Sequence, residues 1–483
     1  MAGTRVRQDV WKLSRTDKWH PTLLWYAKAI AEMQTRPLND PTSWRYQAAI
    51  HDYIPGSDPL ATSADAIPPD ADQFWAQCQH VSWFFLPWHR MYLFHFEQII
   101  ADTIVKLGGD PGWSLPYWNY SDGTNADARK LPPAFFAATT PDGTPNPLRV
   151  NVRQRGNSGG IVAPPQSADI SQCLSEPDYA SDRLGGDPGF GGPETAFNHG
   201  EGDIVGALEA TPHGSMHVAV GGWMGSFETA GLDPIFWLHH ANIDRLWNVW
   251  RKSGHQNPST PGWLTDVTFP FHDSGGNIVT HVAKDVVDST ADPLSYQYED
   301  ETDPTAAVDS APRILSVGDK PIPEMVGATD KPVTLAGKPA STSFAVKEPT
   351  GPARTLSAGG PPRRIYLNVE NITGPHHHTS YSVYLNLPPG EDASKHPELL
   401  AGNMSLFGVG QASRSTEKHA GSGLHYAFEV SKVVRKLEAK GDWDPKNIRI
   451  TFIPDYADAE AERTLSVEPK KALQVGRISL YHK

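Results

Sequence analysis

Two stretches decide the fold: residues 77–97, QCQHVSWFFLPWHRMYLFHFE, and residues 232–247, LDPIFWLHHANIDRLW. In the first, the apolar residues from Tyr92 to Leu107 recur every 3.6 positions, so a helix is expected over 87–107. His80 and His89 are nine apart, and at about 100° per residue a single helix would turn them to opposite faces. Pro87 removes the difficulty. It suits a first helical turn and holds Leu86 extended. His89 then lies in that first turn, His80 comes from the preceding loop, and the two can converge on one metal. In the second stretch, Asp233-Pro234 is a favourable cap and first-turn pair, which opens a helix running to Ser253 and stopping at Gly254.

Working outward, residues 22–35 (TLLWYAKAIAEMQT) and 43–51 (SWRYQAAIH) read as two shorter helices. His51, at the end of the second, is the natural third partner of His80 and His89. Residues 208–222, LEATPHGSMHVAVGG, hold His213 and His217 four apart, which places both rings on one helix face. His239 and His240 are adjacent, so at most one can face the same metal. We choose His240, because Asp244 lies one turn later on its face and can support the ligands by a hydrogen bond.

The donor set narrows the metal. Zinc is a rival for any three-histidine set. The residue after His213 is Gly214, however, so the zinc-protease pattern with its general-base Glu is absent. The Glu-x-x-His pairs of a carboxylate-bridged di-iron site are absent too. Six histidines with no clear carboxylate ligand favour copper.

Residues 303–362 are rich in Pro, Ala, Thr, Ser and Gly and read as a linker wrapped over a surface. From 363 to 483, segments such as RRIYLNVENI, TSYSVYLNL, LHYAFEV, IRITFIP and GRISLYH alternate or are rich in β-branched and aromatic residues. They read as strands of a small all-β sandwich. The run His376-His377-His378 looks like a loop. The expected organisation is therefore a mainly α domain over 1–302, a Pro-rich linker over 303–362 and a β domain over 363–483.

His80-x4-Phe85-Leu86-x-Trp88-His89-Arg90, followed by Glu97, resembles the copper A signature of tyrosinases, catechol oxidases and molluscan haemocyanins. Asp233-Pro234-x-Phe236-x3-His240-x3-Asp244 resembles the copper B signature. The chain thus looks like a long-form member of the tyrosinase and polyphenol oxidase family. That resemblance implies an antiparallel four-helix bundle around a type-3 pair of copper ions, with a C-terminal β domain. It assigns His51, His80 and His89 to copper A and His213, His217 and His240 to copper B. The implied activity is a copper oxidoreductase that uses O2 to oxidise o-diphenols to o-quinones, with monophenol hydroxylation (monooxygenase activity) open. An o-aminophenol oxidase of a biosynthetic pathway, or an O2 carrier like haemocyanin, are the other readings.

Further residues match named family features. Glu209 matches the acid that orders a water and assists phenol deprotonation; otherwise it is a solvent-facing helix residue. Gly214 stands where members competent on monophenols often carry Asn. Phe227 matches the bulky gate residue of plant catechol oxidases, or is an ordinary core Phe. Cys78-Gln79-His80 has the spacing that forms a thioether to the histidine in fungal members and molluscan haemocyanins, or Cys78 is a buried thiol. Tyr296-Gln297-Tyr298 resembles the tyrosine motif that closes the family's central domain. The paired N-terminal cysteines of the plant enzymes are missing. In long members the β domain docks over the coppers and keeps the enzyme latent, as in a zymogen; Phe407, in a glycine-flanked loop, is the candidate plug.

Composition bounds the remaining classes. With 42 basic against 55 acidic residues and a net charge of −13, nucleic acid is not an expected partner. No run of about 18 apolar residues is present, so no membrane span is expected. The 42 Gly and 43 Pro imply a loop-rich protein. Cys78 and Cys173 allow one disulfide but no disulfide scaffold. The opening MAGTRVRQDVWKL carries no apolar run of signal-peptide length, so a cytoplasmic location is expected. A phenol, O2 and a copper-delivery protein are the expected partners, and the sequence leaves the oligomeric state open.

Overall fold

Asp233 accepts the amide of Ile235 at 3.1 Å, and Pro234 needs no amide partner at the first turn; together they start the helix Pro234–Lys252. The computed structural model of the chain describes residues 4–181, 186–305, 323–347, 364–375, 379–415, 420–455 and 472–483. Contacts divide it into two compact units. The helical unit comprises residues 1–168, 195–199 and 216–303. The β unit comprises residues 169–194, 200–215 and 304–483.

In the helical unit, Phe85–Lys106 is the central helix and packs against both Pro21–Met33 and Pro234–Lys252. It starts two residues before the expected Pro87. The Ser82 hydroxyl accepts the Phe84 amide at 3.1 Å, and the Ser82 carbonyl accepts the Phe85 amide at 2.9 Å. Proline is tolerated within a first turn whose amides have no helical partner in any case. Trp44–His51 begins after Ser43, whose hydroxyl accepts the Tyr46 amide at 3.1 Å. The strand Arg5–Arg7 pairs in parallel with Tyr296–Tyr298, so the tyrosine motif closes the unit onto its own N-terminus.

The β unit holds two antiparallel sheets. One has the order Leu424–Glu429, Ile365–Thr373, Leu473–His482, Glu324–Ala328, with Val333–Leu335 also on Leu473–His482. The other has the order Leu400–Met404, Tyr381–Leu385, Ile448–Pro454, Ala340–Phe344. Leu424, Tyr426 and Phe428 alternate inward, and the sheets come so close at Gly402 that a Cβ there would collide with the Phe428 ring.

Three differences from the expected organisation follow. The stretch 303–362 is not all linker, because Glu324–Ala328, Val333–Leu335 and Ala340–Phe344 are strands of the sheets. Its parts 306–322 and 348–363 lie outside the described residues, as does the run at 376–378. The β unit is not all β, since Ser431–Lys440 is a helix that buries Val433, Val434 and Leu437 and ends at Gly441 with φ 75°. The unit also takes two segments from the middle of the chain. Val205 donates to the His425 carbonyl at 2.8 Å, and Arg364 to the Ser175 carbonyl at 3.1 Å. Among the described residues no helix is long and apolar enough to cross a membrane.

Candidate metal centre

Five of the six expected ligands converge in the helical unit, and all are buried. His51 ends its short helix, and its Nδ1 faces the Phe227 carbonyl at 2.9 Å. His89 Nδ1 faces the Phe85 carbonyl one turn back at 2.8 Å, and His217 Nδ1 faces the Met224 carbonyl at 2.7 Å. A carbonyl only accepts, so each of these rings carries its proton on Nδ1 and offers the Nε2 lone pair. The ring centroids of His51, His80 and His89 lie 5.1 to 5.9 Å apart.

The Nε2 atoms meet in pairs. His51 and His80 bring theirs to 3.3 Å, and so do His217 and His240. Two nitrogens bound at about 2.0 Å in a near-tetrahedral angle lie roughly this far apart, so both pairs fit a first-row ion. His240 also stacks on His89, with centroids 4.6 Å apart and planes 9° from parallel. His239 packs its ring edge-on to His217 at 4.8 Å, and the ligand nitrogens of His217, His239 and His240 all lie within 4.8 Å of one another. The stacking on His89 and the short contact to His217 favour the choice of His240.

Burial keeps the rings neutral, the state a metal ligand needs. Desolvation pushes His51 down to about 4, and it holds His80, His89 and His217 well below the usual histidine range.

His213 belongs to the β unit. The segment Glu209–Gly214 breaks at Thr211 (φ −146°, ψ 122°), where the following Pro212 disfavours helical backbone; the break lies before both histidines, and helical backbone resumes into Ser215–Val220, which carries His217. His213 Nδ1 faces the Glu209 carbonyl at 3.2 Å, the same carbonyl anchoring seen in the helical unit. Its ring lies edge-on to Phe407 with centroids 5.7 Å apart. Glu209 is buried at 6 % exposure rather than facing solvent.

Phe227 packs its ring on His80 at 4.5 Å and on His51 at 5.7 Å, besides offering its carbonyl to His51. Cys78 Sγ lies within 4.8 Å of ligand nitrogens of His51 and His80, and 3.2 Å from His199 Nδ1. The Cys173 thiol instead donates to the Ile170 carbonyl at 3.2 Å.

Asp244 differs from the expectation. Its carboxylate accepts from Arg90 Nε at 2.5 Å and from the hydroxyls of Tyr296 and Tyr298, each at 2.6 Å, with Arg7 at 3.4 Å. A guanidinium is a stronger partner than an imidazole that already has a carbonyl or a metal to bind. Asp244 therefore ties the residue after His89 to the turn after His240, and acts on the ligands through their helices.

Sequence reading missed His199, whose Nε2 lies 3.3 Å from Asp52 and whose Nδ1 meets the Cys78 carbonyl at 2.9 Å. It is a lone histidine in a polar loop with no periodic signal. Arg7 was missed for the same reason, although it is fully buried against Glu97 at 2.5 Å. Phe236 fills the space among His51, His217 and His240, with centroids at 5.1, 5.8 and 4.3 Å; its place in the second signature is the one sign of it.

These features define a dinuclear, histidine-bound copper oxidoreductase, and the comparisons agree. Residues 41–253 match the common central domain of tyrosinase, and residues 322–483 match a domain of unknown function. The tyrosinase HcTyr1 of Hahella sp. (strain CCB-MM4) is 36% identical over 494 residues, covering 99% of each chain. This chain belongs to the tyrosinase family of type-3 copper enzymes. The chloroplastic polyphenol oxidase of Spinacia oleracea is 30% identical over 335 residues, which span 63% of this chain and 48% of that one. The structure of latent apple tyrosinase shares the fold, with a TM-score of 0.63 at 21% identity over 100% of this chain and 97% of that chain.

Proposed function

We propose that the chain oxidises o-diphenols to o-quinones, with His51, His80 and His89 holding one copper and His213, His217 and His240 the other. The observation that carries this reading is the convergence of buried Nε2 atoms in pairs at 3.3 Å, with Nδ1 of His51 and of His217 tied to carbonyls. When bound, the copper pair supplies the electron path from the phenol to O2. Each diphenol gives up two electrons and two protons, and O2 takes four of each to become water. The protein's own part is to hold the rings, exclude water and move protons. Glu209, buried four residues before His213, is suited to receive the phenol proton through a water. Phe227, over His80 and His51, restricts approach from that side and favours a small ring.

Gly214 offers no side chain to a monophenol's proton or water, so diphenol oxidation should outrun monophenol hydroxylation. We further propose that Cys78 Sγ joins a ring carbon of His80. The S–H and C–H hydrogens would leave as two protons and the two electrons would go to O2, the electron path being what copper held by these histidines would supply. We propose also that Phe407, whose ring lies edge-on to His213, acts as the cover of the site in the intact chain.

The test is copper content and initial rates on catechol, tyrosine and o-aminophenol. His240→Ala should keep about half the copper and lose all activity; full copper with full activity would sink the assignment. Intact mass should lie two hydrogens below that of the reduced chain. Cutting between residues 303 and 323, ahead of the strand Glu324–Ala328, or Phe407→Ala, should raise the catechol rate several-fold.

A further inference from the structure

We infer that Gly214 and the turn Ser405-Leu406-Phe407 form one device, in which the missing side chain at 214 is what seats Phe407 against His213. The inference rests on the covering role of Phe407 proposed above. A Cβ built on Gly214 would meet Ser405 Oγ at 2.8 Å and Ser405 Cβ at 3.2 Å, with the Glu209 carbonyl at 3.3 Å on its other side. Real Cβ atoms seldom come so close, so a residue other than glycine must push something aside. The Glu209 carbonyl is backbone and receives His213 Nδ1 at 3.2 Å, which makes it the stiffer neighbour.

Ser405 is the part that must yield, and it cannot move alone. It is fully buried, and its hydroxyl accepts the backbone amide of Phe407 at 3.2 Å. The Leu406 carbonyl in turn receives the Val409 amide at 3.2 Å, which closes the turn. A push at Ser405 is therefore delivered to Phe407, whose ring lies 5.7 Å from that of His213. The residue that tunes the choice between phenols and the residue that covers the site are thus coupled. In this chain a side chain at 214 and a seated Phe407 exclude each other.

The experiment uses the full chain loaded with copper. Gly214→Ala adds only the Cβ, with no group able to take part in proton transfer. It should raise the catechol rate of the uncut chain several-fold, chiefly by lowering KM, with copper content unchanged. In a Phe407→Ala background the same substitution should add nothing. Ser405→Thr enlarges the contact from the other side while keeping the hydroxyl that holds Phe407, and should act in the same direction. It decides the matter if Gly214→Ala binds less copper. A raised rate in Phe407→Ala with no rise in either crowding variant overturns the coupling and leaves the cover intact. No rise in Phe407→Ala overturns the cover, and the coupling with it.

Discussion

In the helical unit Asp244 is buried among Arg90, Arg7, Tyr296 and Tyr298; in the β unit Glu176 is buried beside Arg364 and Tyr366, each at 3.4 Å. Desolvation acts on both carboxyls and pushes both up. For Asp244 the two guanidiniums and two hydroxyls outweigh it, and the group stays below the usual carboxylate range. For Glu176 burial wins, helped by the nearby Asp187, and its carboxyl is pushed up to about 8 against the opposing pull of Arg364. Burial alone does not decide the charge of an interior acid. The number and closeness of its partners do. The helical unit uses an ionised acid to lock two histidine-bearing helices together, while the β unit carries a protonated one between a mid-chain segment and its sheet.

The largest effect should come from removing one side of the ionised cluster. Arg90→Met leaves Asp244 short of its nearest cation and should cost about 3–5 kcal/mol, read by urea denaturation of the copper-free protein. A loss below about 1 kcal/mol would break the comparison, since it would make the Asp244 cluster no more demanding than a surface pair.

Next in size is the pH dependence of the β unit. Glu176 has a folded pKa of about 8, above its ordinary 4.5. The folded state then keeps a proton that the unfolded state has lost, so this contribution to stability is full below pH 4.5 and declines up to about 8. Glu176→Gln should remove the decline, and exceed the parent at pH 8.5 by a few kcal/mol. Equal slopes in parent and variant would mean that Glu176 is ionised like Asp244.

The helical unit should slope the other way. Burial lowers His51 to about 4 and His239 to about 3 from an ordinary 6.5. As pH falls below 6.5 the unfolded chain takes up protons that the folded one refuses, so stability is lost toward pH 4. Hydrogen exchange read by mass spectrometry on peptides of each unit, in copper-free protein between pH 5 and 8, should show the two opposite trends. The smallest effect expected is Ser43→Ala, which removes the cap of the helix ending in His51 and should cost about 1 kcal/mol.

Much of this was legible in the sequence where local rules apply. The two long helices, their caps and the alternating strands follow from period and punctuation. So does the convergence of His51, His80 and His89, although the loop bearing His80 ends at Phe85, with Leu86 already helical, rather than at Pro87. Local rules failed where distant partners decide. Glu209 and His213 have helical spacing, but Thr211, held non-helical ahead of Pro212, breaks the helix between them. Asp244 has the right spacing to serve His240, yet two arginines from elsewhere claim it. Glu324–Ala328 sits in a Pro-rich, Ala-rich stretch and becomes a strand only because Leu473–His482 offers it an edge. Residues 200–215 carry no sign that they pair with His425 and Asn403.

That last pairing bears on how the protein is made. Thr211 and Ser215 hydrogen-bond to Asn403, and Val205 to His425. During synthesis the helical unit's last residues leave the ribosome well before these partners exist. Counted from its own synthesis, the segment bearing His213 waits about two hundred residues for them, ten seconds or more at ordinary elongation rates of about 5–20 residues per second. His213 thus gains the backbone partners of its segment late in translation, after the sequence of the helical unit is complete.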